Sequence, residues 1–140
     1  MSLLVTRTDD MDACRALRRA VFIEEQNVPE DLEWDGRDGE AVHMLARLDG
    51  QAVGTLRMFL TPPTAKIGRV CVLQPLRGTG VGRALMQAAI ALLRAENGIE
   101  TAQLGAQTHV LDFYRGLGFE AHGPIYDDAG IPHRDMTLTL

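Results

Sequence analysis

Hydrophobic positions change period several times along the chain, and each change marks an element. Leu3 to Arg7 alternates and reads as a short strand. Asp10 or Asp12 can cap a helix running to about Glu25, with Leu17, Val21 and Phe22 on one face. Pro29 ends that region, and the polar section from Pro29 to Glu40, with Asp35-Gly36 and Asp38-Gly39, predicts a loop. Ala41 to Leu48 and Gln51 to Leu60 flank Asp49-Gly50, a two-residue hairpin signal. A further strand, Ala65 to Leu73, follows Pro62-Pro63 and is stopped by Pro75.

Helical spacing returns with Val81, Leu85, Ala88, Ala89, Leu92 and Leu93, and Asn97-Gly98 closes the helix. Thr101 to Gln107 reads as a strand, Val110 to Gly116 as a short helix, and Phe119 to His122 as a strand. Arg134 to Leu140, with Met136, Leu138 and Leu140 alternating, is the last strand. Neither repeats nor linkers interrupt this alternation, which predicts one α/β domain over residues 1–140 with a mixed, largely antiparallel sheet.

Composition agrees with that picture. The 140 residues are 46% hydrophobic and 24% charged, ordinary for one soluble domain with a real core. The first residues, MSLLVTRTDD, contain no basic region leading into a long apolar segment, and no window approaches the roughly 18 apolar residues of a membrane span, so a cytoplasmic protein without membrane contact is expected. Cys14 and Cys71 are too few for a disulfide framework or a metal cluster, so they are expected to be reduced thiols.

The net charge of -5 argues against nucleic-acid binding, which usually needs a basic face. The distribution says more. Glu24 to Glu40 holds eight acids and one base, Arg37, whereas Gly50 to Ala95 holds no acid and six bases: Arg57, Lys66, Arg69, Arg77, Arg83 and Arg94. One section suits a cationic ligand and the other an anionic one, unless both are simply solvated surfaces.

The basic section contains Arg77-Gly78-Thr79-Gly80-Val81-Gly82-Arg83, with a glycine at every second position before an apolar helix. It is not a Walker A loop, because no lysine follows Gly80 or Gly82; the chain's only lysine is Lys66. A dinucleotide fingerprint fails as well, since its third glycine would fall on Arg83 or Leu85. What remains is a helix start whose free amides, dipole and bare backbone suit phosphate oxygens, or else a plain glycine turn. Arg83 opposes the helix dipole in the first turn, which makes better sense beside a bound anion.

Strand, proline, Arg-x-x-Gly-x-Gly and amphipathic helix, running from Val70 to Gly82, together resemble the acetyl-CoA-binding motif of the GNAT superfamily of N-acyltransferases. Ala106 to Phe119, with Tyr114 and Gly118-Phe119, is similar to the superfamily's later segment. Three further stretches resemble the ElaA/YjcF-type subgroup: Arg19 to Pro29, Glu33-Trp34-Asp35-Gly36 with His43 beyond it, and Asp128 to His133. The resemblance implies a GNAT-type sheet of about six to seven strands with about four helices. It implies acetyl-CoA as cosubstrate, no metal, an amine acceptor, and homodimers as an unsurprising assembly.

Its implications fall on named positions. Main-chain amides of Arg77, Gly78, Thr79, Gly80, Val81, Gly82 and Arg83 would hold the pyrophosphate, and Val70, Cys71 and Val72 would pair with the pantetheine arm. The Val72 N–H would stabilise the thioester oxyanion. Tyr114 matches the position that protonates the departing thiolate, although a tyrosine in a short helix is often a packing residue. Gln107 departs from the usual asparagine, keeping the amide but changing its reach. Cys71 near the cofactor invites a covalent intermediate, but a small apolar filler is the better reading, with direct transfer.

The amine must lose a proton to a base. Glu33, Asp35, His43, His109 and His133 are the candidates, and Glu33 is taken as the catalytic one, with Glu33, Asp35 and His43 binding the acceptor. An acidic, aromatic-lined mouth around Trp34 would attract a cation; Asp35-Gly36 can also be only a turn, and His43 a structural residue. The expected activity is acetyl transfer to a small cationic primary amine. The rival is an acyl-CoA-binding sensor without turnover, which Tyr114 disfavours.

Overall fold

The computed structural model describes residues 2–140. Strand β1 (Leu3–Thr8) leads into helix α1 (Met11–Arg18), whose N-cap Asp10 accepts a hydrogen bond from the Ala13 amide at 3.1 Å. The helical path continues to Glu25, as the periodicity requires, but Arg19–Glu25 is wound as a π-helix, with Gln26 N–H donating to the Val21 carbonyl five residues back. Pro29 lies beyond the end of that helical path, as expected. It precedes a single helical turn, α2 (Glu30–Glu33), inside the section expected to be loop, consistent with proline's fixed φ at a helix start.

Strands β2 (Val42–Leu48) and β3 (Gln51–Thr61) form the expected hairpin, with Asp49 and Gly50 both at positive φ. Strand β4 (Thr64–Val72) pairs antiparallel with β3 through a bulge: Arg69 and Val70 oppose Leu56 alone, and Arg69 has φ 52°. Helix α3 (Val81–Ala95) crosses over to β5 (Thr101–Gln107), and α4 (Leu111–Arg115) follows. The last hairpin, β6 (Glu120–Asp128) and β7 (Ile131–Thr139), is much longer than the two short strands expected from the sequence. The strand expected over Phe119 to His122 runs on through Gly123 and Pro124, because β6 is an edge strand and bulges between His122 and Tyr126, so the missing proline N–H is no loss.

The seven strands form one sheet in the order β1-β2-β3-β4-β5-β7-β6. Among the described residues its one parallel pair, β4 with β5, is joined from Thr64–Lys66 to Thr101–Gln103; beyond Lys66 and Gln103 the two strands separate. Helix α3 packs Leu85, Met86, Ala89 and Leu93 against one face, all fully buried, each such leucine contributing about 1.5–3 kcal/mol. On the other face Cys14, Leu17, Val21 and Phe22 cover Leu45 and Cys71. Two helical layers therefore brace the sheet around an open seam. Among the described residues no helix is long and apolar enough to cross a membrane.

Candidate active site

The seam ends at the glycine segment. Gly78 and Gly80 have φ of 77° and 96°, and a Cβ on either would meet nothing within 4 Å, so this backbone is bare toward solvent. The first helical bond of α3 runs from Ala84 N–H to the Gly80 carbonyl at 3.0 Å, leaving the amides from Gly78 to Arg83 without partners among the described residues. At Gly82 a Cβ would make ordinary contact with the Phe113 ring, 3.5 Å away. Val81 turns its side chain into the core and Arg83 stays exposed, so only main chain faces the cradle from Val81. The Thr79 hydroxyl donates to the Leu76 carbonyl at 2.5 Å, which closes the turn. Arg77 is held in place by Glu25, which accepts from both terminal nitrogens at 2.5 and 2.6 Å, while Arg77 Nε donates to the Val72 carbonyl.

Strand polarity decides where β4 aims its amides. Leu73 N–H donates to the Val53 carbonyl, and successive N–H groups along a strand point to opposite edges. The Val72 N–H therefore points away from β3, into the seam. Val70 and Val72 are partly buried on the α3 side, and Cys71 is buried on the other. Burial first, then Glu33, pushes the Cys71 thiol up to about 12, so it stays protonated and unreactive.

Tyr114 is held edge-on by Phe113 and Phe119, with ring centroids 5.0 and 6.0 Å away. Burial raises its phenol well above the usual value, so it carries its proton throughout the physiological range. Among the described residues its hydroxyl has no hydrogen-bond partner, yet the residue is 7% exposed. Gln107, the last residue of β5, exchanges hydrogen bonds with Gln26 at 3.0 and 3.5 Å, tying the π-helix end to the seam.

The loop after α1 differs most from the expected acidic mouth. Glu33 is 2% exposed and accepts from Arg18 Nε at 2.8 Å and Arg69 Nε at 2.9 Å. Asp35 takes a bidentate pair from Arg57, and those bonds hold its carboxyl well below the usual range against the opposing effect of burial. Burial is the largest single influence on Asp38 and raises it, but Arg18 and Arg57 together outweigh it, so its carboxyl is also lowered. The three carboxylates are thus paired with the guanidiniums of Arg18, Arg57 and Arg69, and Arg15 adds a longer contact of 3.4 Å to Asp38. His43 is buried and its Nε2–H donates to the Asp38 carbonyl at 2.9 Å. Trp34 lies within cation–π range of the Arg18 and Arg19 guanidiniums, at 5.2 and 5.5 Å, and it lines an open cleft with Arg15, Arg19 and Asp38. Glu33, expected as the base, and Asp35 and His43, expected with it to bind the acceptor, all have polar atoms engaged with the protein itself.

The sequence reading missed Arg18, Asp38 and Arg57 as partners in this network. Arg18 left a signal: it sits four residues after Cys14 and beside Leu17, a charged residue on the apolar face of α1. Arg57 Nε is buried with no partner among the described residues. No group of three or more His, Cys, Asp or Glu side chains is arranged to hold a metal ion among the described residues.

A family model described as an acetyltransferase (GNAT) domain matches residues 8–140. The chain belongs to the GNAT acetyltransferases. ElaA of Escherichia coli is 35% identical over 124 residues, spanning 86% of this chain and 81% of ElaA. The crystal structure of ElaA matches with TM-score 0.84 at 30% identity, covering 98% of both chains. The N-acetyltransferase YjcF of Bacillus subtilis is 35% identical over 121 residues, 86% of each chain. An acyl-CoA N-acyltransferase from Pseudomonas aeruginosa matches with TM-score 0.86 at 33% identity, over 99% of this chain and 100% of that one. This GNAT enzyme is an N-acetyltransferase in fold and family, and its parted β4 and β5 lead to the bare amide cradle.

Proposed function

We propose that the chain transfers the acetyl group of acetyl-CoA directly to the primary amine of a small acceptor. The observation that carries this reading is the Val72 N–H directed into the seam whose far end is the unpaired amide run from Gly78 to Arg83. Phosphate oxygens suit that run, where the α3 dipole adds favourable charge. The pantetheine arm would lie along Val70–Val72, bringing the thioester oxygen to the Val72 amide, a fixed donor of the kind that stabilises developing negative charge.

In the reaction the amine lone pair forms the new C–N bond, the C–S bond breaks, and the electron pair leaves on sulfur. Tyr114 then supplies the proton that turns thiolate into thiol. The neutral, buried thiol of Cys71 fits a one-step transfer with no acetyl-cysteine. Free buried cysteines also fit a reducing compartment such as the cytoplasm. In this reading Glu33, Asp35 and His43 build the loop between α1 and β2, and the attraction for a cationic acceptor arises elsewhere on the surface.

The test is thiol release from acetyl-CoA with a panel of spermidine, L-lysine, tyramine, kanamycin and a lysine-containing peptide. Amine-dependent release is expected with at least one. Tight CoA binding with no amine-dependent release across the panel would favour the sensor.

A further inference from the structure

Strand β5 leaves β4 after Gln103, and the next residue on the same sheet face is Gly105. A Cβ on Gly105 would lie 2.4 Å from the Tyr126 hydroxyl. The phenol is therefore laid across bare strand backbone at the point where the seam opens. Tyr126 reaches this place through the β6 bulge after His122, which returns it to register opposite His133. Its hydroxyl donates to Asp135 Oδ1 at 2.7 Å, and its ring stacks on the His133 imidazole with centroids 6.0 Å apart and planes 24° apart.

His133 is fixed twice. Its ring is held by Tyr126, and its Nδ1 lies 2.7 Å from the Ile131 carbonyl. A carbonyl can only accept, so Nδ1 carries the hydrogen and the neutral ring leaves Nε2 as a bare lone pair. Among the described residues Nε2 has no hydrogen-bond partner, and the residue is partly exposed. His133 pairs across the ladder with Gln107, so its side chain shares the face on which Gln107 clasps Gln26 at the end of the seam. The carboxylates that act on the stacked Tyr126 are Asp135 and Asp128, and neither is ion-paired with an arginine or lysine among the described residues. This sets the hairpin apart from the Glu33–Asp35 loop, whose carboxylates are neutralised.

We propose that the acceptor amine is received on the β6–β7 hairpin, by Asp135 and the Tyr126 hydroxyl above Gly105, and that His133 Nε2 takes the amine proton. The inference rests on the acetyl-transfer reading. Asp135 and Asp128 supply the negative charge that draws a primary ammonium, and Tyr126 gives it an aromatic wall. The bound ammonium first releases one proton to water; as the neutral nitrogen then attacks the thioester carbon and the C–S bond breaks, a second N–H proton passes to Nε2, making the imidazolium, while the Tyr114 proton passes to sulfur. Both side chains return to their starting states by exchange with water, so amine and acetyl-CoA become amide and CoA.

The first measurement needs no acceptor. Nitrogen-15 spectra of the imidazole side chains at pH 8 are expected to show His133, assigned by its loss in His133→Asn, as the Nδ1–H tautomer; an Nε2–H tautomer would overturn the proposal. The second uses the best amine of the panel. His133→Ala is expected to lower kcat about 100-fold or more with acetyl-CoA affinity unchanged, and added imidazole to restore part of the rate. Asp135→Asn is expected to raise KM for the amine about tenfold with KM for acetyl-CoA unchanged. Calorimetric CoA binding by each variant verifies folding, and His133→Asn replaces His133→Ala if the latter unfolds. His133 variants that bind CoA and turn over within threefold of the parent overturn the hairpin assignment while leaving acetyl transfer standing. Failure of the parent chain with every amine overturns both.

Discussion

The Arg18 guanidinium donates to the Glu33 carboxylate at 2.8 Å with 1% and 3% of the two side chains exposed, and Arg69 binds the same carboxylate oxygen from β4. Three elements are thereby joined through one buried acid: α1, α2 and the β4 bulge.

Removing one partner of such a pair leaves uncompensated buried charge, which costs about 3–5 kcal/mol. Glu33→Ala is therefore expected to lower the midpoint of thermal unfolding by roughly 10 °C. If Glu33 were instead the base, Glu33→Gln would abolish turnover while the melting temperature stayed unchanged. Scanning calorimetry beside a thiol-release assay separates the two outcomes.

Asp35 gives the network a pH signature. Its folded carboxyl is held below the usual carboxylate range chiefly by the hydrogen bonds from Arg57. A group lowered on folding stabilises the protein fully above its unfolded value, about 3.9, and that contribution is lost as pH falls through the folded value. Urea midpoints measured from pH 7 down to pH 2 should fall below about pH 4. In Asp35→Asn the whole curve should be lower and its acid limb shallower.

At Gly80, with φ 96° and open space where a Cβ would stand, backbone and charge can be separated by two isosteric substitutions. Asparagine tolerates left-handed φ best among non-glycine residues, so Gly80→Asn should cost CoA affinity only about tenfold. Gly80→Asp adds a negative charge where phosphate oxygens would sit and should cost about 100-fold or more beyond that. Isothermal calorimetry with CoA measures both; equal losses would remove the phosphate from this cradle.

Tyr114→Phe should leave stability nearly unchanged, because the hydroxyl has no partner among the described residues while its ring packs between Phe113 and Phe119. Turnover should fall about 100-fold with CoA affinity within twofold of the parent. Loss of stability or of CoA binding would instead mark Tyr114 as a packing residue.

What could be read from the sequence was local. The periodicity from Val81 to Leu93, the Asp49-Gly50 turn and the spacing from Val70 to Gly82 each lie within a short window, and the structure has a helix, a hairpin and an amide cradle there. The Arg18–Glu33–Arg69 cluster was illegible because it depends on three elements meeting, and an acidic run shows its charges without their partners. The β6–β7 hairpin was hidden by Gly123 and Pro124, whose breaking effect is absorbed by an edge-strand bulge. Tyr126 and Asp135 consequently went unread, since their pairing depends on the register of that hairpin.

Gly105 provides the sharpest test of that register. Adding a methyl group at this position would drive the Tyr126 hydroxyl from its place, since the Cβ would stand 2.4 Å from it, and would break the 2.7 Å bond to Asp135. The displaced group is the far end of an exposed side chain, so Gly105→Ala should change stability little. Its effect should appear in the acceptor, as a KM for the amine raised about tenfold with KM for acetyl-CoA unchanged. Tyr126→Phe removes the same hydroxyl, so Gly105→Ala should add little further loss in that background. A double-mutant cycle on kcat/KM reads this coupling directly: additive losses would mean that Gly105 and Tyr126 act on the acceptor independently.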